Sequence, residues 1–278
     1  MVSIKKELAE YGITPRKRWG QHFLVDRNIL NKVIQTAELE KGDVVLEIGP
    51  GLGEMTLALA REVKKVIAVE IDRELAKILK EKTADFSNII VMEGDILKIS
   101  FEEFYRQGHQ QLRVVANLPY QISTPLLFRF IESKEVFSTF TLMVQREVAE
   151  RMGAPAGGKE YGPLSVFVQL FLDVSIRFFI KPSAFFPSPK VESAVVHMVW
   201  KEKPMIEAHH EGWFKRVVRA GFGYRRKTLV NALKHSELSL PDSIESRMEK
   251  VGIDPRRRPE TLTIEEFIRL AEALRNFE

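Results

Sequence analysis

The sequence predicts an α/β fold, a doubly wound parallel sheet with a small all-helical domain behind it, and three observations carry that expectation. Short β-branched, apolar runs alternate with amphipathic runs between residues 44 and 152. The first apolar run ends in alternate glycines, Gly49, Gly51 and Gly53, with a helical pattern starting just behind them. After residue 204 the strand patterns stop and only helical periodicity continues. Strands separated by helices of this length favour a parallel sheet closed by crossover connections.

Taken in order, Val44 to Ile48 reads as a strand and Glu54 to Arg61 as a helix; Val66 to Ile71 and Arg73 to Lys82 repeat the pair. Ile89 to Met92 is a third strand, followed by a short helix near Phe101 to Tyr105. Val114 to Ala116 and Phe140 to Val144 are the fourth and fifth strands, with helices at Pro125 to Glu132 and Arg146 to Met152. Gly153 to Lys159 is a loop by composition. Leu164 to Leu172 has a helical pattern, whereas Ile176 to Ile180 and Ala194 to Trp200 suit late strands that pair antiparallel. Helical runs at Trp213 to Ala220, Lys227 to Leu233, Ile244 to Val251 and Ile264 to Leu274 complete the chain. The expected division is therefore residues 1–204 and 205–278.

Composition removes several classes of function. At 278 residues the chain buries a full core. It has no cysteine, hence no disulfide framework and no thiolate metal site. The first ten residues carry Lys5, Lys6, Glu7 and Glu10 and do not resemble a secretory signal. The most apolar stretch, 164–180, is broken by Gln169, Asp173 and Arg177, so no membrane span is expected and the location expected is cytoplasmic. None of the six histidines stands in a metal-ligand pattern, and adjacent His209 and His210 cannot share one helix face. No metal is expected.

Charge is unevenly placed. Residues 215–236 carry Lys215, Arg216, Arg219, Arg225, Arg226, Lys227 and Lys234 without an acidic residue. Arg16-Lys17-Arg18 and Arg256-Arg257-Arg258 are shorter basic runs that suit a solvated face equally well. A long stripe without counter-charge points to a polyanion, with Arg219, Arg225, Arg226 and Lys227 as its nucleic-acid contacts.

In an open α/β sheet, ligands bind beyond the carboxyl ends of the strands. The first strand ends in Glu47-Ile-Gly-Pro-Gly-Leu-Gly-Glu54, where glycines let the backbone approach a ligand closely. A dinucleotide fingerprint requires glycine at position 54; the glutamate there is a poor receiver of pyrophosphate. Glu70, about 20 residues on, stands where a carboxylate accepts from ribose hydroxyls. Asp95, at the third strand end, suits an adenine exocyclic amine, and helix capping is the plain alternative for both acids. A nucleoside without phosphates fits this set, which makes S-adenosylmethionine the candidate cofactor.

The fourth strand ends in Asn117-Leu-Pro-Tyr120. An exocyclic amine on a base is a weak nucleophile because its lone pair is delocalised into the ring. The Asn117 amide oxygen and the Leu118 carbonyl are suited to accept its N–H bonds and to stabilise the positive charge that develops on nitrogen. Pro119 stiffens the turn, and Tyr120 offers a ring for a flipped base.

The stretches R-K-R-W-G-Q-H-F-L at 16–24, E-I-G-P-G-L-G-E at 47–54, N-L-P-Y at 117–120 and F-F-P-S-P-K-V-E-S-A at 185–194 resemble the KsgA/RsmA family of small-subunit rRNA adenine dimethyltransferases. The resemblance covers nearly the whole chain. It implies a Rossmann-like methyltransferase sheet followed by a helical RNA-binding domain. The implied reaction moves methyl groups from S-adenosylmethionine to N6 of two adjacent adenosines near the 3′ end of 16S rRNA, giving dimethyladenosines during ribosome biogenesis. The implied partner is a pre-assembled small subunit, met by a monomer. The resemblance also implies His22, Leu24, Gly49, Glu70, Asp95 and Asn117 as cofactor contacts, with Gly51 in the same glycine turn. His22 replaces the asparagine of some relatives. Phe185 is implied to sandwich the base opposite Tyr120, with Phe186 left to packing. The rival readings are a large-subunit rRNA methyltransferase of the antibiotic-resistance type, which usually shows N-I-P-Y, and an assembly factor with a vestigial site. A nicotinamide dehydrogenase is disfavoured by Glu54.

Overall fold

The computed structural model describes residues 4–275 except 109, 204 and 225, and except the side chains of 17, 107, 108 and 208. Its strands are β1 (Phe23–Leu24), β2 (Val44–Ile48), β3 (Lys65–Glu70), β4 (Ile89–Glu93), β5 (Leu112–Asn117), β6 (Phe137–Gln145), β7 (Leu172–Ile180), β8 (Phe185–Phe186) and β9 (Ser193–Trp200). Seven of them form one sheet in the order β4-β3-β2-β5-β6-β9-β7, and β1 pairs with β8 in a separate ribbon. The pairs β2/β3, β3/β4, β2/β5 and β5/β6 are parallel, whereas β9 runs antiparallel to β6. The chain turns back between β2 and β5, which opens a crevice at their carboxyl ends.

The sequence accounts for these elements locally. All five residues of β2 are buried, as a central strand covered on both faces requires. The helix Arg73–Lys82 begins at Asp72, whose side chain accepts from Glu74 N, and buries Leu75, Ala76, Ile78 and Leu79. The helix Ser123–Glu132 buries Leu126, Leu127, Phe130 and Ile131. Phe130 packs against Phe101, Phe137 and Phe140 with ring centroids 5.0–5.5 Å apart. Two helices have no counterpart in the sequence reading, Ile4–Glu10 and Arg27–Thr36. Among the described residues no helix is long and apolar enough to cross a membrane.

The chain divides into two compact units. The first holds residues through Ala149 together with Val174–Trp200. The second holds Glu150–Asp173 and the residues from Lys201 onward, so it includes a segment that a single cut near 204 assigns to the sheet domain. The reason is the helix Pro163–Phe171, which buries Leu164, Val166, Phe167, Val168, Leu170 and Phe171 and so needs cover on nearly every side. Its cover within the second unit includes the helix Glu211–Phe222, which buries Phe214, Val217 and Val218. The closing helix Ile264–Leu274 starts with a capping box, in which Thr263 and Glu266 satisfy each other's backbone N–H groups.

Candidate active site

A cavity of about 1230 Å³, open mouth included, lies over the carboxyl ends of β2, β3 and β5, and every residue lining it belongs to the first unit. His22, Leu24, Gly49, Gly51, Glu70, Asp95, Asn117, Leu118 and Tyr120 all line it. Residues up to 98 positions apart in sequence are thus brought to one place by the turn-back of the sheet.

The glycine loop is held from below by Glu70. Its Oε2 accepts from Gly51 N at 3.0 Å and its Oε1 from Asp72 N at 2.9 Å. Gly51 has φ +58°, and a Cβ there would stand 2.8 Å from the Phe23 ring. Gly53 has φ +85°, and its Cβ would meet Leu79 at 2.2 Å. Both positions therefore require glycine for conformation and for space. Burial pushes the Glu70 carboxyl up to about 7, against the pull of its bonds from Asp72 and Gly51. Asp95 lines the cavity and also caps its own turn, accepting from Leu97 N at 3.0 Å. Capping and ligand binding are compatible in one carboxylate, because each oxygen accepts more than one bond.

The segment 16–24 closes one side of the cavity through a clamp not evident in the sequence. Buried Asp72 receives Arg16 Nη1 at 3.2 Å and Gln21 Nε2 at 3.0 Å, while Glu74 receives Arg16 Nη2 at 2.7 Å. Arg16 and Arg18 both lie over the Trp19 ring, at 4.9 and 4.4 Å from its centroid. Lys82 ties the first helix to the glycine loop, reaching Glu7 and the Leu52 carbonyl at 2.6 Å each. His22 contributes both its backbone and its ring. Its carbonyl accepts from Asn117 Nδ2 at 2.9 Å, its Nδ1 donates to the Pro187 carbonyl at 2.6 Å, and its ring stacks on Tyr120 with centroids 5.3 Å apart.

That bond to His22 fixes the Asn117 amide with its nitrogen occupied, leaving the oxygen as the end that accepts. Leu118 N donates to Met143 O at 3.0 Å, so the turn is pinned to the neighbouring strand. The Tyr120 hydroxyl pairs with Ser193 Oγ at 2.8 Å, and burial pushes its pKa up, so the phenol stays neutral and its ring is held in place.

Phe185 does not join the cavity. It is 3% exposed and packs in the core cluster with Leu30, Val33, Met143 and Val195. The β1/β8 register explains this: Phe185 pairs with Leu24 and Phe186 with Phe23, and the alternation of a strand sends neighbouring rings to opposite faces. The structure thus places the Phe185 ring in the core beside the ribbon rather than on the cavity lining. Phe186 packs at the edge of the cluster of Leu8, Phe23 and Leu52, beneath Lys5.

Two further expectations change. The basic stripe has counter-charges from outside its window, Lys215 with Glu211 at 3.6 Å and Lys234 with Glu245. Arg225 lies outside the described residues; Arg219, Arg226 and Lys227 form no ion pair among those described. Arg256, Arg257 and Arg258 pair with Asp254, Glu266 and Glu260, and Arg16 with Asp72, so the second triplet and Arg16 are built into local structure. A short 3-10 turn brings His209 and His210 within 3.9 Å between ring centroids, and their ligand atoms and that of Glu207 lie within 4.8 Å of one another. The helix-face argument against that pair therefore does not hold, although the cluster lies in the second unit, apart from the cavity lining.

The model of the ribosomal RNA adenine dimethylase family matches residues 12–276. The chain is similar to the ribosomal RNA small subunit methyltransferase A of Bacillus mycoides, at 42% identity over 97% of this chain and 94% of that protein. The same-named protein of Bacillus cereus gives the same figures. Among solved structures, a dimethyladenosine transferase from Plasmodium falciparum superposes with a TM-score of 0.75 at 30% identity, covering 90% of this chain and 96% of that one. The 23S rRNA methyltransferase ErmE superposes at 0.69 with 25% identity, covering 91% and 99%. With a family match over almost its entire length, the chain belongs to the ribosomal RNA adenine dimethylase family.

Proposed function

We propose that this enzyme dimethylates N6 of two adjacent adenosines of small-subunit rRNA, using S-adenosylmethionine. The observation that carries the reading is Asn117, whose amide is oriented by His22 with its oxygen left to accept, at the mouth of a cavity floored by Glu70. A nucleoside cofactor suits the residues present. Glu70 keeps lone pairs for ribose hydroxyls beyond its two backbone bonds, and Asp95 keeps an oxygen for the adenine amine. Gly49 and Gly51 let the ligand approach the backbone, and His22 and Leu24 close the methionine end. When bound, S-adenosylmethionine supplies a methyl group made electrophilic by its sulfonium.

The chain's own residues do the rest. Asn117 Oδ1 and the Leu118 carbonyl accept from the target amine, orient its lone pair, and offset the charge that grows on nitrogen. Tyr120, held by Ser193, presents its ring to the flipped base once the His22 ring yields that face. The second unit meets rRNA phosphates through Arg219, Arg226 and Lys227, with Arg225 a fourth candidate by its place in the sequence. The enzyme works as a monomer, without a metal, in the cytoplasm where small subunits assemble.

The test offers unmethylated small and large subunits side by side with labelled cofactor and maps the modified bases. Label in two adjacent adenosines of the small-subunit RNA supports the reading. Label in the large subunit alone supports instead the 23S rRNA methyltransferase activity named for ErmE. A wild-type chain that binds small subunits but transfers nothing supports an assembly role.

A further inference from the structure

The cavity takes up only part of the sheet's working edge. Among the strands of that sheet it is lined from the ends of β2, β3 and β5 and by Met143 of β6, and among the described residues by none from β9 or β7. Beyond Asn117 the order continues β5, β6, β9, β7, and a second group stands there at strand ends. Arg146 directly follows β6, Glu192 directly precedes β9, and Phe179 is the last residue but one of β7. The Arg146 guanidinium lies over the Phe179 ring, 4.7 Å from its centroid, and its Nη1 donates to Glu192 Oε2 at 2.8 Å. The backbones are joined as well, with Arg146 N donating to the Glu192 carbonyl at 2.9 Å.

Both members of this stack are open to solvent: Phe179 is 47% exposed and the Arg146 side chain 48%. A guanidinium laid on a ring and tied at its edge by a carboxylate has little rotamer freedom left to lose when a third plane joins it. Nucleobases stack on aromatic rings and on guanidinium planes alike. The position is continuous with the candidate active site. Ser193, next to Glu192, holds the Tyr120 hydroxyl at 2.8 Å and pairs with Gln145, the residue before Arg146. Asn117 opposes Met143 in the β5/β6 register, so Arg146 stands three positions farther along, about 10 Å at the rise of a strand. On the methyltransferase reading, on which this inference rests, the target adenine leaves its stack to reach Tyr120. Its neighbour in the RNA strand is then left with an uncovered face.

We infer that Arg146, held flat by Phe179 and Glu192, is a stacking shelf for the rRNA nucleotide that flanks the flipped adenosine. It replaces the contact that the flanking base loses when its neighbour is extruded, and it keeps the strand in place beside Asn117. Such a contact is made equally before and during methyl transfer, so it serves substrate affinity rather than the chemical step. Arg146, Phe179 and Glu192 are not part of the cavity lining, so cofactor affinity does not depend on them.

The experiment compares full-length wild type, Arg146→Ala and Arg146→Lys on unmethylated small subunits with saturating cofactor. Single-turnover transfer is followed over a range of enzyme concentrations, and filter binding is repeated at several salt concentrations. Lysine keeps the charge and a partner for Glu192 but has no plane. Both variants should need about 5- to 150-fold more enzyme for half-maximal transfer, the range that one stacked base accounts for. The plateau rate, the salt slope and cofactor affinity should stay at their wild-type values. A lysine variant equal to wild type, beside an alanine variant whose salt slope falls by about 0.7–0.9, would make the guanidinium a phosphate contact and overturn the shelf. Wild-type behaviour of both variants, or a lower plateau with half-saturation unmoved, would overturn it too. Should a melt show Arg146→Ala unfolded, the lysine variant decides alone by its half-saturation. Each of these results leaves the methyltransferase reading intact, whereas a wild-type enzyme that transfers nothing to small subunits would overturn both.

Discussion

Replacing Glu70 with alanine is expected to weaken cofactor binding by roughly a hundredfold and to loosen the free enzyme as well. The carboxylate accepts from Gly51 N and Asp72 N at 3.0 and 2.9 Å and is only 4% exposed. Bonds to a charged group are worth about 1.5–3 kcal/mol each, so the loss is about 3–6 kcal/mol before compensation. Against it stands the cost of holding a buried charge. A carboxyl moved from 4.5 to about 7 has its ionised form disfavoured by about 3 kcal/mol, at 1.36 kcal/mol per unit. That net cost already includes the bonds from Asp72 and Gly51, so removing the carboxyl also removes a buried charge that folding disfavours, and the variant folds. Cofactor binding loses the ribose contacts and inherits two unpaired N–H groups, that of Gly51 in the glycine loop and that of Asp72 beyond β3. The assay pairs a thermal melt with calorimetric titration of cofactor, and Glu70→Gln serves as the variant that keeps an acceptor. A folded Glu70→Ala protein with wild-type affinity would refute the reasoning and remove Glu70 from the site.

Tyr120→Ala should cut transfer to small subunits far more than Tyr120→Phe, because the phenylalanine keeps the ring and loses only the 2.8 Å bond to Ser193. Equal damage in steady-state assays would make the hydroxyl the working part. Neutralising Arg219, Arg226 and Lys227 together should lower the salt slope of small-subunit binding by about 0.7–0.9 per lost phosphate contact, with cofactor affinity unmoved. An unchanged slope in filter binding at several salt concentrations would put the RNA elsewhere. The cofactor-free enzyme should also lose stability as pH rises from 5 to 8. Glu47 gives up its proton near 4.5 when unfolded and near 8 when folded, so the native state binds more protons across that window. Glu47→Gln should flatten that fall in paired melts, and parallel curves for the two proteins would contradict the pKa assignment.

Much of this was legible in the sequence because it depends on local pattern. The alternation of buried runs with helices located β2 to β6, and the residues ending β2, β3 and β5 line one cavity together with Asp95 beyond β4. What escaped was set by pairing between distant segments. Phe185 reads as a site residue from its motif, yet its register against Leu24 turns the ring into the core. The Arg16–Asp72–Gln21 clamp needs two segments about fifty residues apart and leaves no periodic trace. The helix Arg27–Thr36 did leave a local sign, Asp26 accepting from Asn28 N and Ile29 N, which only a search for caps would find. The second unit's claim on residues 150–173 is likewise a matter of packing rather than composition.

The most direct test of the central claim is single-turnover methyl transfer into unmethylated small subunits by wild type and Asn117→Ala, both saturated with cofactor. The account predicts N6-dimethyladenosine from wild type and a rate about 10²–10³ lower in the variant, the typical effect of one preorganised group on developing charge. Saturation sets aside any loss of affinity caused by freeing the His22 carbonyl from Asn117. Transfer by Asn117→Ala at the wild-type rate, or label recovered in a nucleoside other than adenosine, would contradict it.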